Sequence, residues 1–478
     1  MLRCWKAAST KGRCLSLKRS ERAVVLGASM SGLFAARVLA DFYSSVTVVD
    51  RDVLPQEPRN RRGVPQGAHI HIMQARGSHV LEDLFPGLRN ELVADGVPIW
   101  DDGDLASFHV SVGGHVLAQS GRLRYPKDNM QYFASRPLLE SHVRRRLRAC
   151  PNVTIRDGHD VVGLTFNPAR DGVTGVRLAK RDTADETTLP ADLVVDATGR
   201  GSRTPTFLAD LGYGRPREEK LVVHLAYATQ PLHIPSGSLS ENFFVVNPKP
   251  GRPTGFGLQV CENNIWMLTL ISMVGHELPT ERRDMLTFLE QHAPAKAVAA
   301  VRAAEPLGEM AHYRVPSSRW RRYDKMRRTP AGLLVIGDAI CSFNPIYAQG
   351  MAVAAVEATV LRTCLHRGPH DLPRRFFRGS ARPIGAAWQT AVSSDLALPE
   401  VEAPRPVRVR LSNAFMEQVL SAAETDALIA DHFLRVVGMI DPPARLLHPD
   451  VLFRIAKSFY ALRTNGRREC AQGAPAGR

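Results

Sequence analysis

The segment from Ala23 to Asp50 constrains the fold of this 478-residue chain more than any other. It opens with an aliphatic run, Ala23 to Leu26, which is typical of a buried parallel strand. A glycine-rich turn follows, and apolar residues then recur at helical spacing between residues 33 and 40. A second aliphatic run, residues 46–49, ends on Asp50. This order of strand, glycine turn, helix and strand predicts a Rossmann-type βαβ unit.

The glycine turn has the pattern Gly-x-Ser-x-x-Gly, and its residues are Gly27, Ala28, Ser29, Met30, Ser31 and Gly32. Gly27 suits a tight turn, the small Ser29 lets the backbone approach a pyrophosphate, and Gly32 lets the helix pack closely on the strand. Amide groups at the start of the helix then favour phosphate binding. Asp50 lies 23 positions after Gly27 and is placed to bind ribose hydroxyls. We therefore predict a dinucleotide site formed by this turn, Asp50 and the adjacent Arg51.

A second candidate strand end lies at Asp196. Residues 191–195 predict a buried strand, and small residues that include Gly199 follow it, together with Arg203. Taken alone, this segment is more typical of an ordinary Asp/Gly turn than of a ligand site.

A third strand end gives a stronger signal. The aliphatic residues 333–336 lead into Gly337-Asp338, and an aspartate just after a buried strand is placed to bind a sugar-like chain. Pro345 stiffens the loop that follows, and Gln349, Gly350 and Met351 lead into an Ala- and Val-rich helix that runs to about residue 365. The N-terminus of that helix favours negative charge.

Composition excludes several classes of protein. The formal net charge of +15 is spread along the chain without an aromatic patch, so no nucleic-acid partner is predicted. No run approaches the roughly 18 apolar residues of a membrane-spanning helix, so no integral membrane segment is predicted. Seven scattered cysteines without a CxxC pair favour a reducing, cytoplasmic compartment. His69 and His71 would share one side of a strand but lack a third ligand, so no metal site is predicted.

Together these segments resemble the FAD-dependent monooxygenases related to aromatic hydroxylases, and within them the polyether and squalene epoxidase-like enzymes. The resemblance covers most of the chain and is carried by residues 27–32, 62–67, 196–203 and 337–351. It implies non-covalent FAD, with the first glycine turn and Asp50 at the adenosine pyrophosphate and Asp338 at the ribityl chain. It also implies that Arg136 lies along the cofactor and that Asp196, Gly199 and Arg203 belong to the cofactor site.

The chain departs from this pattern at Ala348, because relatives usually have glycine there. If the loop needs a positive φ at this position, alanine is strained.

The predicted fold is an α/β Rossmann-type FAD-binding domain with an interleaved β-sheet substrate domain and C-terminal helices. The expected FAD-binding segments are 21–95, 135–215 and 329–380, and the expected substrate-domain segments are 96–134 and 216–328. A helical region is expected at 381–465, with a disordered basic tail at 1–20 and a second disordered tail at 466–478.

The resemblance implies that a flavin C4a-hydroperoxide epoxidises an alkene or hydroxylates an aromatic ring of a small hydrophobic substrate. O2 and NADPH or NADH are the expected co-reactants, and no catalytic side chain is assigned. Two alternatives remain open: a flavin-dependent reductase of prenyl double bonds, and a catalytically silent FAD-binding protein. A halogenase is disfavoured because the sequence has no Trp-x-Trp-x-Ile-Pro segment. Peripheral membrane contact and the oligomeric state also remain open.

Overall fold

The computed structural model describes residues 20–458. The two predicted tails lie outside these residues, apart from Ser20, which begins the first strand. The strands in chain order are β1 (Ser20–Leu26), β2 (Tyr43–Val49), β3 (Ile99–Trp100), β4 (Phe108–Val112), β5 (His115–Val116), β6 (Gln131–Tyr132), β7 (Val153–Arg156), β8 (His159–Phe166), β9 (Val173–Lys180), β10 (Glu186–Pro190), β11 (Leu193–Asp196), β12 (Glu218–His233), β13 (Phe243–Val246), β14 (Thr254–Val260), β15 (Ile265–Ser272), β16 (Glu305–Pro306), β17 (Ala311–Arg321), β18 (Leu333–Val335) and β19 (Cys341–Ser342).

The helices are α1 (Met30–Leu39), α2 (Ala75–Leu84), α3 (Leu88–Ala94), α4 (Arg136–Arg148), α5 (Thr204–Asp210), α6 (Arg282–Glu290), α7 (Ala295–Ala303), α8 (Gly350–His366), α9 (Leu372–Asp395), α10 (Val407–Ala423) and α11 (Ala427–Val437). A further helix occupies residues 449–458. The described helices include none that is both long and apolar enough to cross a membrane. The mixture of helices and sheets confirms the predicted α/β class.

A five-stranded parallel sheet with the order β18-β11-β1-β2-β7 forms the centre of the first core. Its middle strand, β1, is buried on both faces, which explains why residues 23–26 are all aliphatic. Helices α1 and α8 pack against each other beside this sheet. Because β1, β2, β11 and β18 run parallel, the turns after all four strands meet at one edge of the sheet.

A nine-stranded sheet forms the second core, with the order β19-β17-β12-β15-β14-β13-β4-β5 and with β16 paired to β12. Strand β4 joins it by parallel pairing with β13. Helices α10 and α11 pack against each other and contribute buried residues such as Leu420 and Ile429 to the same core. Two small sheets, β10-β9-β8 and β3-β6, complete the strand pairing.

Candidate cofactor site and the adjoining cavity

The first glycine turn places the N-terminus of α1 at the edge of the parallel sheet. Gly27 has a φ of 101°, which favours glycine, and its N–H donates to the carbonyl of Val49 at 2.7 Å. A Cβ on Gly32 would lie 1.9 Å from the carbonyl oxygen of Gly27, so only glycine fits. Ser29 is the N-cap residue, and the first amides of α1 beyond it have no intrahelical acceptor. The turn therefore presents backbone donors suited to a pyrophosphate.

Arg136 lies directly beside this turn. It begins α4, is only 5% exposed, and donates from Nη2 to Ser29 Oγ at 2.8 Å. Its Nη1 points at Met351 Sδ, at 2.8 Å, and its Nε donates to Glu140 at 3.4 Å. Burial lowers the pKa of Arg136, and Glu140 opposes that effect. Arg136 thus joins the glycine turn to the start of α8.

Arg61, which the sequence analysis did not single out, ties Asp50 to the same cluster. Its Nε donates to Glu140 at 2.8 Å, and its Nη1 lies 3.2 Å from Asp50 Oδ1. Burial alone would lower the pKa of Arg61, but Glu140 and Asp50 hold it above its ordinary value. Asp50 also accepts from the amide of Ala28 at 2.6 Å. Burial raises the pKa of Asp50, and Arg61 opposes that rise.

Other predicted residues lie away from this cluster. Arg51 is 61% exposed at its side chain and lines a separate basic groove together with Arg59 and Arg62. The Asp196 carboxylate is buried and accepts from the hydroxyls of Thr198, Ser202 and Thr204, so it holds the turn after β11. Arg203 is exposed and lies over the ring of Phe207. Gly199 approaches Asp338, since a Cβ on it would lie 4.0 Å from that residue's Cβ. Their roles toward a cofactor stay predictions.

A cavity of about 140 Å³ extends from the glycine turn along the start of α8. Eight predicted residues line it, namely Met30, Ser31, Arg136, Gly337, Asp338, Pro345, Gly350 and Met351. Arg200 lines it as well and is held by Ser342 Oγ at 2.7 Å. Burial raises the pKa of Asp338, while the charges of Arg200 and Arg136 oppose that rise. The cavity therefore combines a carboxylate with two fixed cations.

His69 and His71 also line this cavity, but the predicted strand that carries them is wrong. Residues 69–74 have no regular secondary structure because no neighbouring strand pairs with them. Burial lowers the pKa of His69 to about 4 and that of His71 to about 3, so both imidazoles are neutral at pH 7. No group of three His, Cys, Asp or Glu suited to a metal occurs within residues 20–458.

The loop before α8 contains Ala348, the position at which the chain departs from the family pattern. This alanine has a φ of 52° and a ψ of 27°, so it adopts the left-handed conformation that glycine would accept without strain. Just before it, Asn344 donates from Nδ2 to Asp395 at 2.7 Å, and Tyr347 donates from its hydroxyl to the same Oδ1 at 2.8 Å. Gln349 Oε1 is buried without a hydrogen-bond partner among the described residues.

A larger cavity of about 710 Å³ adjoins this loop. Its lining is mainly apolar and comes from β4, β13, α10 and α11, with Trp100, Phe108, Phe133 and Phe243 contributing aromatic rings. The two cavities share two lining residues, Ile72 and Ala348. The two cavities therefore adjoin at Ile72 and Ala348.

The residues present fit FAD. A helix N-terminus without side-chain competition for its amides suits the pyrophosphate, and Asp338 with Arg136 and Arg200 suits a polyhydroxylated chain and a ring that gains negative charge.

Comparisons with known proteins agree with this geometry. The family described as FAD binding domain matches residues 21–367. The protein Rv3254 of Mycobacterium tuberculosis (strain ATCC 25618 / H37Rv) is 37% identical over 88% of this chain and 90% of that relative. Kynurenine 3-monooxygenase of Salinispora tropica is 26% identical over 94% of this chain and 95% of its own.

Solved structures show the same fold. The p-nitrophenol 4-monooxygenase PnpA of Pseudomonas putida DLL-E4 has a TM-score of 0.62 at 15% identity, covering 88% of this chain and 99% of its own. The flavin-dependent brominase Bmp2 has a TM-score of 0.62 at 13% identity, covering 93% and 99%. The chain belongs to the FAD binding domain family and is an FAD-dependent monooxygenase of the aromatic hydroxylase superfamily.

Proposed function

We propose that the protein inserts one oxygen atom from O2 into an aromatic ring or an alkene of a hydrophobic substrate held in the 710 Å³ cavity. The observation that carries this proposal is the shared wall at Ile72 and Ala348, which brings an apolar chamber to the edge of the polar flavin cavity. Four aromatic rings in the chamber favour a substrate with a flat apolar body. The kynurenine 3-monooxygenase relatives support an aromatic substrate as the first candidate.

We further propose how the chain holds its cofactor. The first glycine turn, with Gly27 and Gly32, would bind the pyrophosphate together with Arg136. Asp50 would accept from the adenosine ribose, since a carboxylate has lone pairs beyond those used by Ala28 and Arg61. Asp338 would bind the ribityl chain at the start of α8. This arrangement assigns no direct contact with the cofactor to Arg51, Asp196 or Arg203.

Bound and reduced by NADPH or NADH, FAD supplies the activated oxygen. The protein would contribute to the reaction in three ways. Arg200 would provide fixed positive charge on the side of the ring, whereas Arg136 would serve the pyrophosphate. The N-terminus of α8 at Gly350 adds its dipole. The apolar lining orients the substrate and excludes water that would waste the oxidant.

Isotope labelling tests this proposal. The purified holoenzyme is supplied with NADPH, 18O2 and a panel of phenols and polyenes, and products are analysed by mass spectrometry. One 18O atom per product molecule supports the proposal, and the responsive class separates hydroxylation from epoxidation. A saturated product without 18O would establish the prenyl-type reductase instead. Bound FAD that NADPH fails to reduce, even in the presence of the candidate substrates, would establish a silent flavoprotein.

A further inference from the structure

One face of β4 and β13 forms the floor of the large cavity. Alternate residues of the two segments line it, as expected for side chains that share one face of a sheet. Five of the six residues are apolar, namely Phe108, Val110, Val112, Phe243 and Val245, and the sixth is Asn247, which directly follows β13. The N–H of Asn247 donates to the Ser111 carbonyl at 3.0 Å, so its backbone is fixed beside β4. A polar amide in this apolar floor costs free energy unless a partner binds it.

Three amide side chains of this cavity have no hydrogen-bond partner among residues 20–458, namely Gln131, Asn247 and Gln349. The amide oxygen of each is buried. Gln349 adjoins Ala348 and therefore lies where the two cavities meet. By contrast, Asn413 lines the same cavity but donates to the Ser393 carbonyl at 2.9 Å. Gln131 and Asn247 thus offer two amides, away from that junction, to a ligand in the cavity.

Asn247 lies across the nine-stranded sheet from the smaller cavity. Tyr227 of β12 lines that cavity and pairs with Ile271 of β15, and Ile271 pairs with Gly255 of β14. The antiparallel register of β13 and β14 continues to Asn247, which comes opposite Gly255. This row spans three strand spacings of about 4.8 Å, so the backbones of Asn247 and Tyr227 are roughly 14 Å apart. A substrate that reaches both Asn247 and the flavin must therefore be elongated.

Gln131 lies on the same side of the cavity as Asn247. It pairs with Trp100 of β3, and the Trp100 ring centroid lies 4.3 Å from that of Phe108 on β4. Strand β4 is one strand farther from β12 than β13 is. Phe108 pairs with Phe243, four residues before Asn247, which corresponds to about 13 Å along the strand. The two amides therefore lie at different points along the wall that binds a ligand.

We propose that Asn247 and Gln131 select an elongated, multi-ring substrate that carries hydroxyl groups on the end remote from the flavin. A hydroxyl matches both amides because it can donate to the amide oxygen and accept from the amide nitrogen. A single-ring substrate is shorter than the roughly 14 Å between Asn247 and Tyr227, so it would leave the far amides unpartnered when it lies at the flavin. The inference rests on the proposed monooxygenase function and names the part of the substrate that does not react.

Two probes of the same shape test this selection: 4-hydroxybiphenyl and 4-methylbiphenyl, which differ only in the hydroxyl or methyl group at one end. Their dissociation constants from the FAD-loaded protein are measured by equilibrium dialysis, and the constant for the methyl probe is divided by that for the hydroxyl probe. Asn247→Leu and Gln131→Met replace each amide by an apolar group of similar size. We expect this ratio to be about 10-fold lower in the double variant than in wild type, and to fall by less in each single variant, which keeps one amide. Asn90→Leu, the same change at an exposed position of α3, should leave the ratio as in wild type.

A wild-type ratio in the double variant would overturn the inference, because a hydroxyl bound elsewhere in the cavity does not need these amides. The replacements remove polar atoms that have no partner, so the variants should unfold at or above the wild-type temperature. If the double variant does not fold, an unchanged ratio in both single variants overturns the inference.

Oxygen incorporation from 18O2 into 4,4′-dihydroxybiphenyl is measured separately, so that the selection and the reaction are judged apart. Labelled product together with an unchanged ratio would reject the selection by the amides and retain the reaction. A lowered ratio in the double variant without labelled product would support the selection and reject the monooxygenase reaction.

Discussion

The two cavities of this protein differ in size, charge and origin. The cavity of about 140 Å³, the proposed cofactor site, is lined by Arg136, Arg200 and Asp338. It lies between turns at the ends of parallel strands and the side chains of Tyr227 and Tyr313 from the nine-stranded sheet. The cavity of about 710 Å³, the proposed substrate site, is mainly apolar and is enclosed by side chains from the nine-stranded sheet and the C-terminal helices. Backbone turns with fixed residue types define the first cavity, and side-chain packing between distant segments defines the second. We therefore propose that cofactor binding depends strongly on local sequence, whereas substrate binding depends on tertiary structure.

The largest expected effect comes from Gly32→Ala, which should disrupt the smaller cavity and leave the larger one intact. Gly32→Ala would place a methyl group 1.9 Å from the Gly27 carbonyl oxygen, so the turn must shift. We expect FAD affinity to fall by at least about 100-fold and the free energy of unfolding to fall by about 3 kcal/mol. Gly201→Ala is the control, because nothing lies within 4 Å of its added Cβ. Flavin content and thermal unfolding report the result, and full flavin occupancy in Gly32→Ala would contradict the assignment of this turn.

Arg136→Gln tests whether one buried cation supports the cofactor cavity. The change leaves Glu140 with one fewer partner and removes the donor to Ser29. We expect FAD affinity to fall about 10- to 100-fold, with a stability loss of about 3 kcal/mol. Arg145→Gln, on the same helix but 62% exposed at its side chain, should change flavin affinity little. Fluorescence titration of the apoprotein with FAD measures both. Equal affinities for the two variants would remove Arg136 from the site.

Glu357→Gln tests, through the pH dependence of stability, a buried carboxylate that supports the turn at Gly337 in the smaller cavity. Burial raises the pKa of Glu357 from 4.5 to about 8, although the Gly337 amide that donates to its carboxylate at 2.9 Å opposes the rise. Because the folded pKa is the higher one, wild-type stability should fall as pH rises from about 4.5 to 8 and then level off. The variant should lack this contribution, which is on the order of 5 kcal/mol. Urea unfolding at several pH values measures it, and parallel curves for the two proteins would show that Glu357 is not a raised carboxylate.

Ala348→Gly should have the smallest effect and acts where the cavities meet. Glycine adopts the left-handed conformation without strain, but it also raises the conformational entropy of the unfolded chain. The two effects oppose each other, so the free energy of unfolding should change by less than about 1 kcal/mol. FAD affinity should stay unchanged, while substrates with bulkier ends should be oxidised faster relative to small ones. Competition assays with paired substrates measure this ratio. An unchanged ratio would mean that the Ala348 methyl group does not limit access to the flavin cavity.

Sequence reasoning predicted residues that the structure brings together wherever the signal was a local pattern. The turn at residues 27–32 and the residues around Asp338 combine a strand, a required residue type and a helix start, and such signals lie within about 20 positions of one another. Arg61 was missed because its partners Asp50 and Glu140 are brought to it only by folding. The sequence signal for Arg61 was its position next to residues 62–67, one of the segments that carry the family resemblance.

Asp395 was missed for a similar reason, since its partners lie about 50 residues earlier in the chain. One signal was present: Ala387, Ala391 and Asp395 recur every four residues, which places an acid on the buried stripe of α9. The large cavity had no sequence signal, because its walls come from segments as distant as Ile72 and Phe433.

We propose that a substrate in the large cavity meets the flavin at the edge of the smaller cavity. Binding of naphthalene compounds to the holoenzyme, followed by the change in flavin absorbance, tests it most directly. Val245→Trp should place a bulky ring in the large cavity and weaken the spectral change while keeping FAD bound, and Val222→Trp, at an exposed position of β12, should leave the change intact. That result is the one we predict. An undiminished spectral change in Val245→Trp would place the ligand elsewhere and contradict the claim.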